Sequence, residues 1–94
     1  MELGRVKGQV VITVRDSGLP NLTLLLVDII DSSGNVVLSD QVAADRIGAG
    51  EGELVLLVRG SNARLILETG TPLDLSVVGI VDQMTSGKDA LYTK

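Results

Sequence analysis

The most distinctive residues in the chain are Gly48-Ala49-Gly50-Glu51-Gly52-Glu53. A glycine-rich loop can cradle a phosphate when it follows a strand and opens a helix, because its bare N–H groups then face the anion. The spacing here does not fit that chemistry. A dinucleotide fingerprint needs glycine at position 53, where Glu53 stands. A P-loop needs a downstream Gly-Lys-Ser/Thr, which Gly60-Ser61 does not supply. Two glutamates would repel phosphate, and the loop precedes a strand instead of following one. What remains is a tight turn that uses glycine for positive φ or close backbone approach. A special form of it has several copies of the chain bring the loop together near a symmetry axis, where only small residues fit.

The second candidate is Gly60-Ser61-Asn62-Ala63-Arg64. Ser61 has no base to activate it, so it reads as a helix N-cap and not as a nucleophile. Arg64 then falls in a first helical turn, where a cation is mildly unfavourable. That placement calls for a carboxylate partner, for which a subunit interface is one source. The acids Asp28, Asp31, Asp40, Asp45, Asp74 and Asp82 are scattered among strand ends and turns, the usual station of aspartate. They lack the clustered spacing of a calcium loop. Asp28 is the odd one, an acid inside an apolar strand, and it calls for a partner or a wet interface. Arg5, Lys7 and Arg15 gather around the first strand and read as a solvated edge or as a face towards a ligand or neighbour.

Composition removes whole classes of function. The 94 residues include no cysteine, histidine, tryptophan or phenylalanine, and a single tyrosine. Disulfides, thiolate or imidazole metal sites and histidine- or cysteine-based catalysis are excluded. A net charge of −4 with one aromatic residue argues against nucleic acid, which needs a basic surface and stacking platforms. No window reaches the roughly 18 apolar residues of a membrane span. Met1-Glu2-Leu3-Gly4-Arg5 has no signal-peptide core, so the protein reads as cytosolic, and the sequon at Asn21-Leu22-Thr23 as chance.

Valine- and isoleucine-rich segments between turn signals predict five strands, near residues 5–15, 22–30, 36–44, 53–59 and 75–83. Ser61–Thr69 is predicted helical, with Ser61 as N-cap and Gly70 and Pro72 as terminators. Residues 86–94 are polar and are expected to be loose unless a partner holds them.

The strands do not alternate as half-buried strands should. In the second, Leu22, Leu24, Leu26 and Ile30 share one face while Leu25, Val27 and Ile29 share the other. The fourth and fifth are likewise apolar on both faces. One short helix cannot cover two faces of a sheet. The simplest resolution is a small closed barrel whose outer wall is covered by other copies of the chain. The alternative is that some strands are central and covered by loops.

The order of motifs resembles the vertex proteins of bacterial microcompartment shells, over about residues 2–83. The resemblance rests on Gly8-Gln9-Val10-Val11-Ile12-Thr13-Val14-Arg15, then Gly18-Leu19 and Leu24–Val27. It continues through Asp45–Glu53, Val55-Leu56-Leu57, Gly60–Arg64 and Asp74–Asp82. It implies an all-β fold, a small OB-like five-stranded barrel with one short helix, assembling as a cyclic homopentamer. It implies a non-catalytic shell protein without cofactors that closes the fivefold vertices of an icosahedral shell and packs against hexameric shell proteins. By the same resemblance, Gly48, Ala49, Gly50, Gly52 and Glu53 lie at the axis around a narrow pore. Gly60, Ser61, Ala63 and Arg64 lie at the subunit interface. Residues 1–85 then form the vertex domain and 86–94 a polar tail. Many members carry lysine where Arg15 stands, and residues 31–39 and 86–94 match no family pattern. Two other readings compete: an OB-type module binding oligonucleotide or oligosaccharide, and a small enzyme using Asp28 and Asp45 at a subunit boundary.

Overall fold

A computed structural model describes residues 1–11, 23–60, 65–66, 72–73 and 75–94. The β-branched runs form strands near the predicted places, but the first begins at Glu2, the last predicted one ends at Ile80, and residues 12–15 of the first prediction lie outside the described residues. β1 (Glu2–Val10), β2 (Thr23–Ile30), β3 (Val36–Asp45) and β4 (Leu54–Arg59) are followed by the short β5 (Leu65–Ile66) and β6 (Pro72–Leu73). β7 (Leu75–Ile80), β8 (Gln83–Ser86) and β9 (Asp89–Thr93) complete the chain. Five of them close a barrel in the order β1-β2-β3-β7-β4, with β4 returning to β1. All its pairings are antiparallel except β3 with β7, which meet at Ala44 and Ser76. Closure removes the free edges that an open sheet of this size would present.

The barrel interior takes one parity from each strand. Val6, Leu25, Val27, Ile29, Ala43, Val55, Leu57, Leu75 and Val77 form a single buried cluster. The opposite parity of β2 is not bare: Leu24 and Ala44 form a second buried cluster, against which Val10 and Val42 pack. The chain therefore covers part of its own outer wall, through residues of neighbouring strands. Exposed apolar surface lies elsewhere, at Val36, Val37 and Leu38 in the first half of β3 and at Val78.

Register shifts interrupt the barrel ladders, and two of them face each other across β2. Lys7 is the extra residue between Val6 and Gly8 on β1, and the β2–β3 register slips between Val27 and Ile29. Opposite that slip, Asp40 adopts φ of 57°. Lys7 Nζ lies 2.6 Å from Asp40 Oδ1 and 3.6 Å from Asp28 Oδ1, and Asp28 Oδ1 also accepts the Asp40 N–H. Asp28 thus has the partner that its apolar setting demands. The three side chains hold two bulges together across three strands.

Two expectations are corrected. The helix predicted over 61–69 is not formed at Leu65 and Ile66, which pair antiparallel with Leu73 and Pro72. No described residue is helical. Helix propensity is a weak prior, and Leu65-Ile66 suits a pleated strand once a partner strand is present. The polar tail is not loose either. β8 and β9 pair from Gln83↔Thr93 to Ser86↔Asp89 around a turn in which Gly87 takes φ of 61°.

The closing seam is tightest at one small residue. At Gly4, between Ile29 of β2 and Val55 of β4, an added Cβ would stand 2.6 Å from Leu57 Cδ1 and 3.3 Å from the Asp28 carbonyl oxygen. Arg59 Nε, 2.9 Å from Glu2 Oε2, holds the same seam at its end. Gly4→Ala is expected to destabilise the protein by about 1–3 kcal/mol through overpacking. Gly8→Ala, whose Cβ meets nothing within 4 Å, should change stability far less. Urea unfolding of both variants at matched protein concentration checks the contrast.

Candidate functional site

The loop from β3 to β4 is pinned at both ends by carboxylates. Asp45, the last residue of β3, is buried at 4% exposure although it is charged. Its Oδ1 accepts the Ile47 N–H at 2.9 Å, and its Oδ2 accepts the Ala49 N–H at 2.9 Å. The Gly48 N–H lies between them, at 3.3 and 3.2 Å. Three backbone donors thus satisfy one buried carboxylate, which is what such burial requires. Gly48 turns the chain at φ of 93°, a conformation costly for residues with a Cβ.

The other end is a turn from Gly50 to Glu53, closed by the Glu53 N–H on the Gly50 carbonyl at 3.1 Å. Gly52 occupies its third position at φ of 85°. The turn is joined to β1: Gly52 N–H donates to the Val6 carbonyl at 2.8 Å, and Val6 N–H to the Glu53 carbonyl at 3.0 Å. Arg5 adds a guanidinium contact of 3.3 Å to the Gly52 carbonyl. Glu53 itself folds back. Its Oε1 accepts the Gly50 N–H at 2.6 Å, and its Oε2 meets Lys94 Nζ at 2.5 Å. The Lys94 ammonium first, and the Gly50 N–H second, hold the Glu53 carboxyl below the usual glutamate range. The same pairing raises Lys94 above the usual lysine range.

Five of the residues singled out in the sequence therefore share one loop: Gly48, Ala49, Gly50, Gly52 and Glu53. Gly48, Gly50 and Gly52 are exposed, whereas Ala49 packs its methyl against the barrel interior. A bulky substitution at Ala49 would overpack the single subunit before it met any neighbour. Gly60 ends β4's exit with φ of 153°. Ser61, Ala63, Arg64 and Arg15 lie outside the described residues. Sequence reasoning placed Asp45 among ordinary turn acids and missed its hold on the loop; the signal present was an aspartate three residues before a glycine. It missed Lys94 altogether, since 41 residues separate it from Glu53.

The two carboxylates that the sequence offered for acid–base work both have partners within the chain. Asp45 is spent on three amides, and Asp28 on Lys7 and the Asp40 N–H. The described residues form a small closed barrel whose glycine loop is tied at both ends by carboxylates. The comparisons with known proteins give its class. The family described as "Ethanolamine utilisation protein EutN/carboxysome" matches residues 1–82. The bacterial microcompartment shell vertex protein EutN of Escherichia coli strain K12 is 50% identical over the full length of both chains. The carboxysome shell vertex protein CcmL of a Synechocystis species is 42% identical, covering all of this chain and 95% of that one. Among solved structures, the pentameric shell protein GrpN of Rhodospirillum rubrum superimposes with a TM-score of 0.74 at 38% identity, over 93% of this chain and all of that one. The chain belongs to the EutN/CcmL family, a family of structural shell proteins and not of enzymes.

Replacing Asp45 should expose how much of the loop it holds. Asp45→Ala is expected to cost about 1.5–3 kcal/mol, the worth of hydrogen bonds to a charged group. Asp45→Asn, which keeps one acceptor oxygen, should cost less. Denaturant unfolding measures both, and an Asp45→Ala protein as stable as the parent would contradict the assignment.

Proposed function

We propose that this chain is the vertex subunit of a bacterial microcompartment shell, lying in the cytoplasm as its relatives' compartments do. Five copies close around an axis, cap the fivefold corners of the icosahedral shell and pack against hexameric shell proteins. The observation that carries this reading is full-length similarity to shell vertex proteins, together with a barrel of the same fold as a pentameric shell protein. The surface supports it. Val36, Val37 and Leu38 are 55%, 62% and 47% exposed in the single chain, an apolar run that assembly would bury. An open cleft of about 760 Å³ lies beside the loop, floored by Val6 and Leu25 and rimmed by Gln9, Thr23, Arg46 and Glu51. A ring closes when one patch of each copy meets a different patch of the next, so an apolar ridge and a cleft on one subunit suit it.

Within the ring, Gly48, Gly50, Gly52 and Glu53 are assigned to the axis, with Ala49 as the loop's inner anchor. Gly60, Ser61, Ala63 and Arg64 are assigned to the subunit contact. The loop's small exposed residues and its fixed shape support the first assignment; the second rests on the family motif. An OB-type binding module gains nothing from the geometry: a single tyrosine and a net charge of −4 offer no stacking or basic surface.

Native mass spectrometry at low micromolar concentration tests the reading. The expected species is a pentamer of about 49 kDa, five times the 9.8 kDa chain. A 9.8 kDa monomer that fails to co-purify with co-expressed hexameric shell proteins would overturn it.

A further inference from the structure

Glu53 belongs to the loop, but the group that holds its outer oxygen comes from the far end of the described chain. Several contacts bring Lys94 there. The Val81 N–H donates to the Leu54 carbonyl at 2.9 Å, tying the exit of β7 to the residue after Glu53. The Lys94 N–H donates to the Asp82 carbonyl at 2.8 Å, adding one more rung to the β8–β9 hairpin. The Lys94 ammonium then spans back to Glu53 Oε2 and stands 3.9 Å from Asp82 Oδ1. Leu54, Val81, Asp82, Lys94 and Glu53 thus form a closed circuit that joins the base of the hairpin to the glycine loop.

The other oxygen of Glu53 holds the Gly50 N–H, so the circuit continues into the turn. Even the absence of a side chain at Gly50 matters, because a Cβ there would come within 3.2 Å of Glu53 Oε1. We infer that Lys94 is a positioning residue for the glycine loop: by orienting Glu53 it fixes the turn at Gly50–Gly52 and couples the β8–β9 hairpin to it. The latch stands on contacts within one chain. Its consequence, that the hairpin helps set the opening at the axis, rests on the placement proposed above.

The groups that face Glu53 are Lys94, the Gly50 N–H and, through Lys94, Asp82 and Tyr92. Glu53 has its folded-state affinity for protons lowered, so the latch is present above the ordinary glutamate range and is lost as pH falls through the depressed value. Lys94 has its own raised, so the latch persists below the ordinary lysine range and is lost only above it.

The test uses the full chain labelled at glutamate carboxyl carbons, titrated by NMR, with amide exchange read at Gly50. In Lys94→Met, Glu53 should titrate higher, towards the ordinary value of about 4.3. Gly50 exchange should quicken about two- to fivefold, the scale of an exposed ion pair. Lys94→Arg should restore both. Unchanged titration and exchange in Lys94→Met would overturn the inference, and so would a Lys94→Arg protein that behaves like Lys94→Met. Native mass on the same samples keeps the two readings apart: a lost pentamer with an intact latch counts against the vertex assignment alone.

Discussion

The structure depends on the seam where β4 returns to β1. Gly4 stands there between two strands, and Leu57 occupies the space that any side chain at position 4 would need. A bare backbone at position 4 lets the strands pair there without displacing Leu57 in the core. From that seam the rungs run upward through Arg5↔Leu54 to the Val6 N–H on the Glu53 carbonyl. The glycine loop is therefore the continuation of the closing ladder and not an appendage to it. Its position follows from the same constraint that seals the core.

Once closure fixes Glu53 and β3 fixes Asp45, the residues between them have little freedom left. Each carboxylate takes backbone donors that a loop would otherwise give to water, and glycines at 48 and 52 supply the positive φ values the path requires. The result is a short loop tied at both ends, in which Gly48, Gly50 and Gly52 are exposed beside the larger Arg46, Ile47 and Glu51. In the ring proposed above, those glycines are the part of the loop that can approach the axis closely. The apolar first half of β3 supplies a different need, surface that a neighbour can bury.

Much of this was legible in the residues. The five barrel strands follow from valine and isoleucine between turn signals, and the loop's glycines announced tight backbone geometry. The two-faced apolar pattern of β2 was legible too, but its meaning was not. Leu24 is covered within one chain, while bare apolar surface includes Val36–Leu38 and, on the second face of β7, Val78. The helix predicted over 61–69 is absent at Leu65-Ile66 because propensity carries no information about pairing, and these two residues find a partner in Pro72-Leu73. The hairpin at 83–93 was hidden by its polar composition. Lys94 was hidden because a contact between residues far apart in sequence leaves no periodic trace.

The vertex reading proposed above puts the loop of residues 48–53 at the axis of a fivefold ring. The most direct measurement is an experimental structure of the assembled protein, by crystallography or electron microscopy, read at the separation between equivalent Gly50 Cα atoms. The account predicts five equivalent loops converging on the axis, with Glu53 still folded back onto Gly50 in each. Loops splayed to the outer rim, with another segment lining the axis, would contradict it.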